Sequence, residues 1–269
     1  MKIGISYNTS SEVARRLAER VFESLQGRKA DAVYVENAPH GSDAMSAEEA
    51  AKGGIDLLIT LGGDGTVLRA MRWFAGPVLA VNAGGLGFLT EASGETTEQS
   101  LERLLVGDYL VDARMKIMAM KCQVRLPDAV NEVVVHTDQV GKMREFEVSI
   151  RDERITRVRA DGIMVATPTG STSYALSAGG PIIHPNMDAM VMVYMSPFSL
   201  TAKPIVLPGD SLIEIKCAKK GCMLVIDGQE SIDVRPGEGV DISRSETRAR
   251  FVRFKPLFLT KLNRRLLQE

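Results

Sequence analysis

The chain has 269 residues, and its 33 Lys and Arg nearly balance its 34 Asp and Glu, which leaves a formal net charge of −1. This balance argues against a protein that binds nucleic acid through a basic surface, and the 45% hydrophobic content argues against a disordered chain. Apolar runs such as residues 189–195 are far shorter than the roughly 20 residues of a membrane-spanning helix. The amino-terminal residues lack the apolar segment of a signal peptide, so the sequence predicts a cytoplasmic protein.

Predicted strands and helices alternate in the first part of the chain. Short apolar segments predict strands at residues 2–7, 32–35, 55–61 and 78–81. Apolar residues four positions apart predict an amphipathic helix through Val13, Leu17, Val21 and Leu25, joined by Ala14, Ala18 and Phe22. Ser46 and Glu49 form a capping-box pattern, with Gly53 closing that short helix, and residues 66–74 predict a further helix. This order predicts an α/β fold with a parallel sheet covered by helices.

From about residue 110 the pattern changes to alternating apolar and polar residues, which is typical of half-buried strands. The alternating apolar positions form four groups: Met120, Cys122, Val124 and Leu126; Phe146, Val148 and Ile150; Ile213, Ile215 and Cys217; and Val240 and Ile242. Turn dipeptides such as Asp227-Gly228 separate these segments. We therefore predict a second, all-β domain, with the two sheets of a sandwich. Residues 257–268 return to a helix-like pattern.

The three cysteines are Cys122, Cys217 and Cys222, which are too few for a disulfide framework. Cys217 and Cys222 have a C-x4-C spacing, but no histidine or second cysteine pair completes a zinc site. We expect all three to be reduced and mostly buried.

A glycine-rich segment, Gly62-Gly63-Asp64-Gly65-Thr66, lies between a predicted buried strand and a predicted helix. Glycines let the backbone approach a ligand closely, and the N-terminus of a helix offers free N–H groups to phosphate. The carboxylate of Asp64 would repel phosphate, so we expect it either to accept a proton from a hydroxyl or to bind a metal. The purely structural alternative is that Asp64 caps a helix beginning at Thr66.

Two further segments follow predicted buried strands. Residues 82–88 are glycine-rich and come at the carboxyl end of a parallel strand, where such sheets bind ligands, although a plain turn is the alternative. Residues 161–174 run from an apolar strand into a loop with five Ser and Thr hydroxyls, and then reach Tyr174, which could stack on a base or ribose. The alternative is an ordinary turn with an N-cap for a helix near Ala175.

Several common motifs are missing. The P-loop pattern G-x-x-x-x-G-K-[ST] is absent, which argues against a P-loop NTPase. The dinucleotide fingerprint G-x-G-x-x-G is broken in both glycine loops, because Leu68 and Thr90 stand where its third glycine belongs. An ordinary Rossmann dehydrogenase is therefore disfavoured. The three histidines, His40, His136 and His184, are scattered, and we interpret them as structural.

Taken together and in order, these segments resemble the NAD kinase family, from Ile3 to about Gln229. The matching motifs are Gly62-Gly63-Asp64-Gly65-Thr66, the pair Asn131-Glu132, a long signature from Arg159 to Pro181, and the turn Asp227-Gly228-Gln229. Lipid kinases and phosphofructokinases carry similar Gly-Gly-Asp-Gly motifs, so the specificity comes from the pair together with the long signature.

The resemblance implies phosphorylation of NAD at the 2′-hydroxyl of its adenosine ribose, which gives NADP. The donor is ATP or polyphosphate, with a divalent cation, Mg²⁺, carried with ATP. The implied domains are an α/β domain at residues 1–110, a β-sandwich-like dinucleotide-binding domain at 111–245, and a segment at 246–269 that packs back on the first. The implied assembly is a homodimer or homotetramer, and we expect no nucleic acid or membrane partner.

The resemblance also implies the site residues. Asp64 matches the family's general base, and with Gly65 it would lie at the reacting ribose and phosphates. Asn131 and Glu132 would hold an adenosine ribose. Other residues would line the base pocket (Phe88), meet the nicotinamide end (Asp161), or make further nucleotide contacts: Lys142, Arg159, Thr169, Thr172, Ser173, Tyr174, Ala175, Leu176, Ser177 and Gln229. From its position on the helix after the glycine loop, Arg69 is predicted to neutralise phosphate charge.

Four positions depart from the family pattern. Ala83 and Gly85 replace Thr and His in the second glycine loop, Ser173 replaces Ala, and Phe198 replaces His. These changes affect donor preference and regulation more than the reaction. Two alternatives remain open at this point: a non-catalytic NAD(P) sensor, and a lipid or sugar kinase that shares the Gly-Gly-Asp-Gly loop.

Overall fold

The computed structural model describes residues 1–41, 43–84, 87–151, 153–255 and 258–263. The chain divides into two compact units. The first contains Met1–Ala113 and the chain from Ala249 onward, and the second contains Arg114–Arg248.

A parallel sheet forms the centre of the first unit. Its strands are Lys2–Tyr7, Asp31–Val35, Ala44–Met45, Leu57–Gly62, Pro77–Asn82 and Ala92–Ser93. They pair in parallel, and Phe251, near the end of the long strand Gly239–Arg253, pairs in parallel opposite Val78. Leu57–Gly62 is buried along its whole length, as its apolar sequence predicts for a strand covered on both faces. The predicted α/β architecture of this unit is confirmed.

The helices of the first unit are Glu12–Gly27, Ala47–Glu49, Asp64–Met71, Thr97–Leu105 and Phe258–Leu262, with a 3₁₀ turn at Pro39–Gly41 and a π turn at Ala50–Gly54. The predicted capping box is present: the Ser46 hydroxyl accepts the Glu49 N–H, and the Glu49 carboxylate accepts the Ser46 N–H. Thr97–Leu105 is not among the predicted helices, because two of its buried residues, Thr97 and Ser100, are polar. None of the helices in the described ranges is long and apolar enough to cross a membrane.

The first helix buries the predicted apolar face, with the exception of Val13. Its buried residues are Ala14, Leu17, Ala18, Val21 and Leu25, whereas Val13 is 61% exposed. Ser11 caps this helix through a hydrogen bond to the Ala14 N–H, so Val13 lies in the first turn, away from the buried stripe.

Two antiparallel sheets form the second unit. The first sheet contains Glu153–Ala160, Arg144–Ile150, Ile213–Cys217 and the beginning of Gly239–Arg253, in that order. The second has the order Ile205–Pro208, Ala189–Met195, Gly162–Ala166, Glu132–Thr137, Cys222–Ile226 and Glu230–Val234. Alternate residues of both sheets, such as Phe146 and Val133, share one apolar cluster. The predicted sandwich-like domain is therefore confirmed.

The predicted alternation from Met120 to Leu126 is wrong. Leu110–Lys121 and Val124–Arg125 are two antiparallel strands joined by a turn at Cys122 and Gln123, whose φ angles are 49° and 64°. Because the turn reverses the chain, these residues cannot form one face of one strand, and Cys122 is exposed.

The prediction of three reduced cysteines is also wrong. Cys217 and Cys222 form a disulfide between the end of Ile213–Cys217 and the start of Cys222–Ile226, and so connect the two sheets. Both residues are buried. The loop between these strands brings their Cα atoms to 6.6 Å, within the range that a disulfide spans. Sequence spacing alone cannot reveal that approach.

Replacing Leu25 by Ala tests the buried face of the first helix. Leu25 is completely buried, so we expect Leu25→Ala to lower the free energy of unfolding by about 3 kcal/mol. Val13→Ala on the same helix should change it by no more than about 0.5 kcal/mol, because Val13 is exposed. Urea denaturation of both variants measures the difference, and equal losses would contradict this assignment of the buried face.

Counting thiols tests the disulfide. In denaturant without reductant, we expect one reactive thiol per chain, that of Cys122, because the other two cysteines are bonded to each other. Full reduction should raise the count to three. A count of three before reduction, in protein purified without reductant, would show that the bond does not form in solution.

Candidate functional site

The first glycine loop connects a buried strand to a helix in the first unit. The helix Asp64–Met71 follows Leu57–Gly62 directly, with Gly63 at the N-cap position and no side-chain cap. Gly63 and Gly65 are exposed. The N-terminus of this helix therefore lies among exposed glycines without a side-chain cap, which suits a phosphate, while the Thr66 and Val67 N–H groups donate to the Gly63 carbonyl.

The Asp64 carboxylate joins this loop to the second glycine loop. Its Oδ2 accepts the Phe88 N–H at 2.9 Å, and its Oδ1 accepts the Leu89 N–H at 3.1 Å. A Cβ on Gly87 would overlap this carboxylate, so the close approach requires glycine there. The structural alternative, in which Asp64 caps a helix beginning at Thr66, is wrong: the helix begins at Asp64, and its carboxylate binds the other loop.

The second glycine loop is also held through its carbonyl groups. Lys261, in the last described helix, donates to the Phe88 carbonyl at 3.3 Å and to the Thr90 carbonyl. Arg253 donates to the Leu89 carbonyl at 2.8 Å. Phe88 is thus fixed through both its N–H and its carbonyl, with a half-buried side chain.

Arg69 lies at the carboxyl end of the sheet. Its guanidinium donates to the Tyr7 carbonyl at 3.2 Å and lies 3.8 Å from the Glu36 carboxylate. Its Nε is buried and has no hydrogen-bond partner within the described part of the chain. Since both partners are at strand ends, Arg69 adds positive charge at the edge where the glycine loops begin. Its predicted contact with phosphate stays a prediction.

The second unit contains a cavity of about 510 Å³ on its six-stranded sheet. Three predicted residues line it together: Glu132, Asp161 and Tyr174. The lining also includes residues that no sequence motif indicated, among them His136, Met195, Met223 and Val225. Strand pairing explains this group, because Met223 lies opposite His136 and Val225 opposite Val134. Only the register of the sheet could have indicated that these side chains share a face.

Asn131 contacts the hydroxyl-rich loop. The Thr167 N–H donates to its carbonyl at 2.8 Å, and its side-chain amide donates to the Ser173 hydroxyl at 3.4 Å. A Cβ on Gly170 would overlap the Asn131 carbonyl, which explains the need for glycine in the middle of this loop. The structure therefore brings together the two motifs that carry most of the family resemblance.

The hydroxyl groups of this loop mostly bind its own backbone. The Ser171 hydroxyl donates to the Pro168 carbonyl at 2.7 Å and accepts the Ile183 N–H at 2.9 Å, and the Thr172 hydroxyl donates to the Thr169 carbonyl at 3.2 Å. The predicted helix near Ala175 is a single turn, Tyr174–Ser177, and Ser173 provides no side-chain cap for it. Within that turn Ala175 is fully buried in an apolar cluster, Leu176 is half-buried, and Tyr174 and Ser177 are exposed.

Three predicted residues lie on the surface without lining the cavity of about 510 Å³. Lys142 is exposed between Glu132–Thr137 and Arg144–Ile150, and Gln229 is exposed in the turn next to Gly228. Arg159 lies with its guanidinium 5.3 Å from the centre of the Phe198 ring. It lines a separate cavity of about 370 Å³ together with Arg144, Glu145, Lys219 and Lys220. Their nucleotide contacts stay predictions.

Glu132 has an unusual electrostatic environment. It is 6% exposed, and its Oε2 is buried with no hydrogen-bond partner among the described residues. Burial, and to a lesser extent the nearby Asp227 carboxylate, raise the pKa of Glu132 to about 8. Burying a carboxyl oxygen without a hydrogen-bond partner costs free energy. A ligand with hydroxyl groups would supply the missing hydrogen bond.

Comparison with known proteins decides the family. The family model described as "ATP-NAD kinase N-terminal domain" matches residues 3–109, and the one described as "ATP-NAD kinase C-terminal domain" matches residues 130–254. The chain belongs to the NAD kinase family. An NAD kinase of Thermoplasma volcanium is 41% identical over 215 residues, which are 79% of each chain. An NAD kinase of Methanothermobacter thermautotrophicus is 37% identical over 281 residues, covering 100% of this chain and 97% of the relative.

Solved structures of NAD kinases and NADH kinases have the same fold. A yeast NADH kinase complexed with NADH has a TM-score of 0.86 and 25% identity, covering 99% of this chain and 87% of that one. An NAD kinase from Archaeoglobus fulgidus in complex with ATP has a TM-score of 0.78 and 30% identity, covering 95% and 94%. The predicted membership of the NAD kinase family, and with it the assignment as a kinase, is confirmed.

The raised pKa of Glu132 predicts a specific pH dependence of stability. Because its folded-state pKa is about 8 rather than 4.5, the folded chain keeps a proton that the unfolded chain loses. This contribution is complete at low pH and is lost as pH rises through about 8. Between about pH 5 and pH 9 we expect wild-type protein to lose up to about 4 kcal/mol more unfolding free energy than Glu132→Gln. Urea denaturation across this range is the measurement, and parallel pH profiles would contradict it.

Proposed function

We propose that this NAD kinase phosphorylates NAD at the 2′-hydroxyl of its adenosine ribose and so produces NADP, with ATP or polyphosphate as the donor. The observation that carries this proposal is the position of Asp64. It is the first residue of a helix with no side-chain cap, directly after a glycine loop, so a carboxylate stands where phosphate is expected to bind. A negative charge there needs a chemical role, and accepting the proton of the attacking hydroxyl is that role.

The phosphate loop contributes mainly positioning and charge stabilisation. Phosphoryl transfer passes through a loose transition state in which charge spreads over the transferred oxygens. The first helical N–H groups and the positive end of the helix dipole act on that charge without reorganising. Arg69, whose helix begins with this loop, adds a positive charge at the same edge of the sheet.

Asp64 can hold the second glycine loop and still act as a base. The Phe88 and Leu89 N–H groups bind one carboxylate oxygen each. Each of these oxygens has two lone pairs, so it can accept a ribose hydroxyl in addition to a backbone N–H. The two N–H groups also fix the direction of the carboxylate, which favours the in-line approach of a positioned hydroxyl.

In the second unit, the cavity offers groups that suit a dinucleotide. Glu132 lines the cavity and provides an acceptor for ribose hydroxyls, and Asn131, the residue before it in sequence, carries an amide that binds the Ser173 hydroxyl. Tyr174 is exposed at the cavity and can stack on a ring, while Asp161 lines the same cavity. These features support the assignment of Asn131 and Glu132 to an adenosine ribose and of Asp161 to the nicotinamide end.

We propose that the divalent cation, Mg²⁺, arrives with the phosphates of ATP. No group of three or more His, Cys, Asp or Glu side chains in the described ranges is arranged to hold a metal. We further propose that the protein works in the cytoplasm as a homodimer or homotetramer. Family membership supports both statements.

The direct test is an incubation of purified protein with NAD, ATP and Mg²⁺, coupled to an NADP-specific dehydrogenase. We expect NADP formation that requires a phosphoryl donor, and a parallel reaction with polyphosphate decides the range of donors. Binding of NAD or NADPH without product from either donor would contradict the proposal and identify a sensor. Activity only on a lipid or sugar alcohol would identify the other alternative.

Replacing Asp64 by Asn tests the general base. A positioned base contributes about 10²–10⁴-fold, so we expect Asp64→Asn to lower kcat on that scale and to change KM for NAD by less than about threefold. A near-normal kcat would remove Asp64 from this role.

The control for this variant is Lys261→Met, because Asp64 also holds the second glycine loop. Lys261→Met removes the hydrogen bonds to the Phe88 and Thr90 carbonyls and leaves the carboxylate in place. We expect a loss of kcat of less than about tenfold in this control, since the base remains. Equal losses in the two variants would show that loop position, rather than proton transfer, explains the effect of Asp64→Asn.

A further inference from the structure

The backbone before strand Glu132–Thr137 is held by one buried carboxylate. Asp227 is 4% exposed, and it accepts three successive backbone N–H groups. Its Oδ2 accepts the Val130 N–H at 2.8 Å, and its Oδ1 accepts the Asn131 N–H at 2.8 Å and the Glu132 N–H at 3.0 Å. The Asp227 N–H in turn donates to the Glu132 carbonyl at 3.0 Å. Four hydrogen bonds thus fix the residues that carry the proposed ribose contacts.

The turn that contains Asp227 places its carboxylate beside the backbone of Val130, Asn131 and Glu132. It connects Cys222–Ile226 to Glu230–Val234, and Ile226 pairs with Val133, one residue beyond Glu132. Asp227 and Gly228 both have positive φ angles, 49° and 64°. Asp and Asn are the side-chain-bearing residues that tolerate this conformation best, so the turn accepts either one.

The charge of Asp227 also acts on Glu132. Burial is the larger reason for the raised pKa of Glu132, and the Asp227 carboxylate is the second. Burial raises the pKa of Asp227 as well, while the three N–H groups and the Lys116 ammonium oppose that change. The other titratable groups that line the cavity with Glu132 are His136, Asp138, Asp161 and Tyr174.

We propose that Asp227 is a positioning residue of the reaction: it holds the Asn131–Glu132 backbone so that the Glu132 carboxyl faces a ribose diol in the cavity. This inference rests on the proposed function, because it assigns Glu132 to the nucleotide. Asp227 itself is bonded to backbone and is not placed at the reacting atoms, so it acts through Glu132.

The proposal predicts a distinctive pH profile for NAD binding. Ribose hydroxyls donate more strongly to an ionised carboxylate than to a neutral carboxyl. Affinity of the wild type for NAD should therefore increase as pH rises through about 8, where Glu132 ionises. In Asp227→Asn the neighbouring charge is gone, so this increase should occur at lower pH. Above about pH 9, where Glu132 is ionised in both proteins, only the loss of positioning remains.

The experiment is calorimetric titration with NAD, without ATP, from about pH 6 to pH 9.5. For Asp227→Asn we expect Kd at the highest pH to be weaker by about tenfold or more, with the pH transition displaced downward. The matched control is Asp233→Asn, the same change at an exposed position on the same hairpin, and it should follow the wild type at every pH. Glu132→Gln should show no transition near pH 8. A wild-type Kd and pH profile in Asp227→Asn would overturn the proposal.

A second variant covers the case in which Asp227→Asn does not fold. Asp227→Glu keeps the charge but moves the carboxylate by one methylene, so we expect weaker NAD binding with the transition remaining near that of the wild type. Unchanged affinity in this variant would overturn the proposal. Failure of both variants to fold, with Asp233→Asn folded, would also overturn it, since Asp227 would then serve only folding.

The same titrations separate this inference from the proposed function. A wild type that binds NAD with the expected pH profile but forms no NADP contradicts the kinase reaction and leaves the role of Asp227 standing. A wild type that forms NADP while Asp227→Asn keeps normal affinity contradicts only the role of Asp227. A wild type that does not bind NAD contradicts both.

Discussion

The hydrogen bonds from three successive backbone N–H groups to the Asp227 carboxylate are the constraint on which the second unit's cavity depends. Buried backbone N–H groups need acceptors, and at this point before strand Glu132–Thr137 a side chain supplies them. A charged acceptor gives stronger hydrogen bonds than a neutral one, but burying it has an electrostatic cost. That cost is visible in the raised pKa values of Asp227 and Glu132.

In the first unit, a carboxylate likewise accepts successive backbone N–H groups, here at the glycine loops. Asp64 accepts two backbone N–H groups from the second loop, and this places a carboxylate beside the uncapped N-terminus of its own helix. The two carboxylates differ in exposure: Asp227 is nearly inaccessible, whereas Asp64 is only partly buried. The difference fits the roles proposed for them, because a base must reach a substrate and a positioning group need not.

Much of the fold was predictable because its signals are local. The buried strand Leu57–Gly62 follows from a run of apolar residues, and the Ser46–Glu49 capping box follows from a four-residue pattern. The predictions were wrong where the structure depends on residues that are far apart in the fold's sheets or on a reversal of the chain direction. Alternation through Cys122 looked like one strand, but two left-handed residues reverse the chain there. The Cys217–Cys222 bond depends on how two strands of different sheets meet.

The amino-acid sequence by itself determined the family, the parallel and antiparallel character of the two units, and the motifs that carry the candidate site. It could do so because apolar periodicity and glycine-containing motifs are properties of consecutive residues. Only the tertiary structure decided what each polar group in those motifs contacts. The partners of Asp64 lie 24 and 25 residues away, and those of Asp227 lie 95 to 97 residues away. Hydrogen bonds and burial over such separations are set by how strands pair and loops pack, so neither the buried state of Glu132 nor the role of Asp227 can be read from the chain alone.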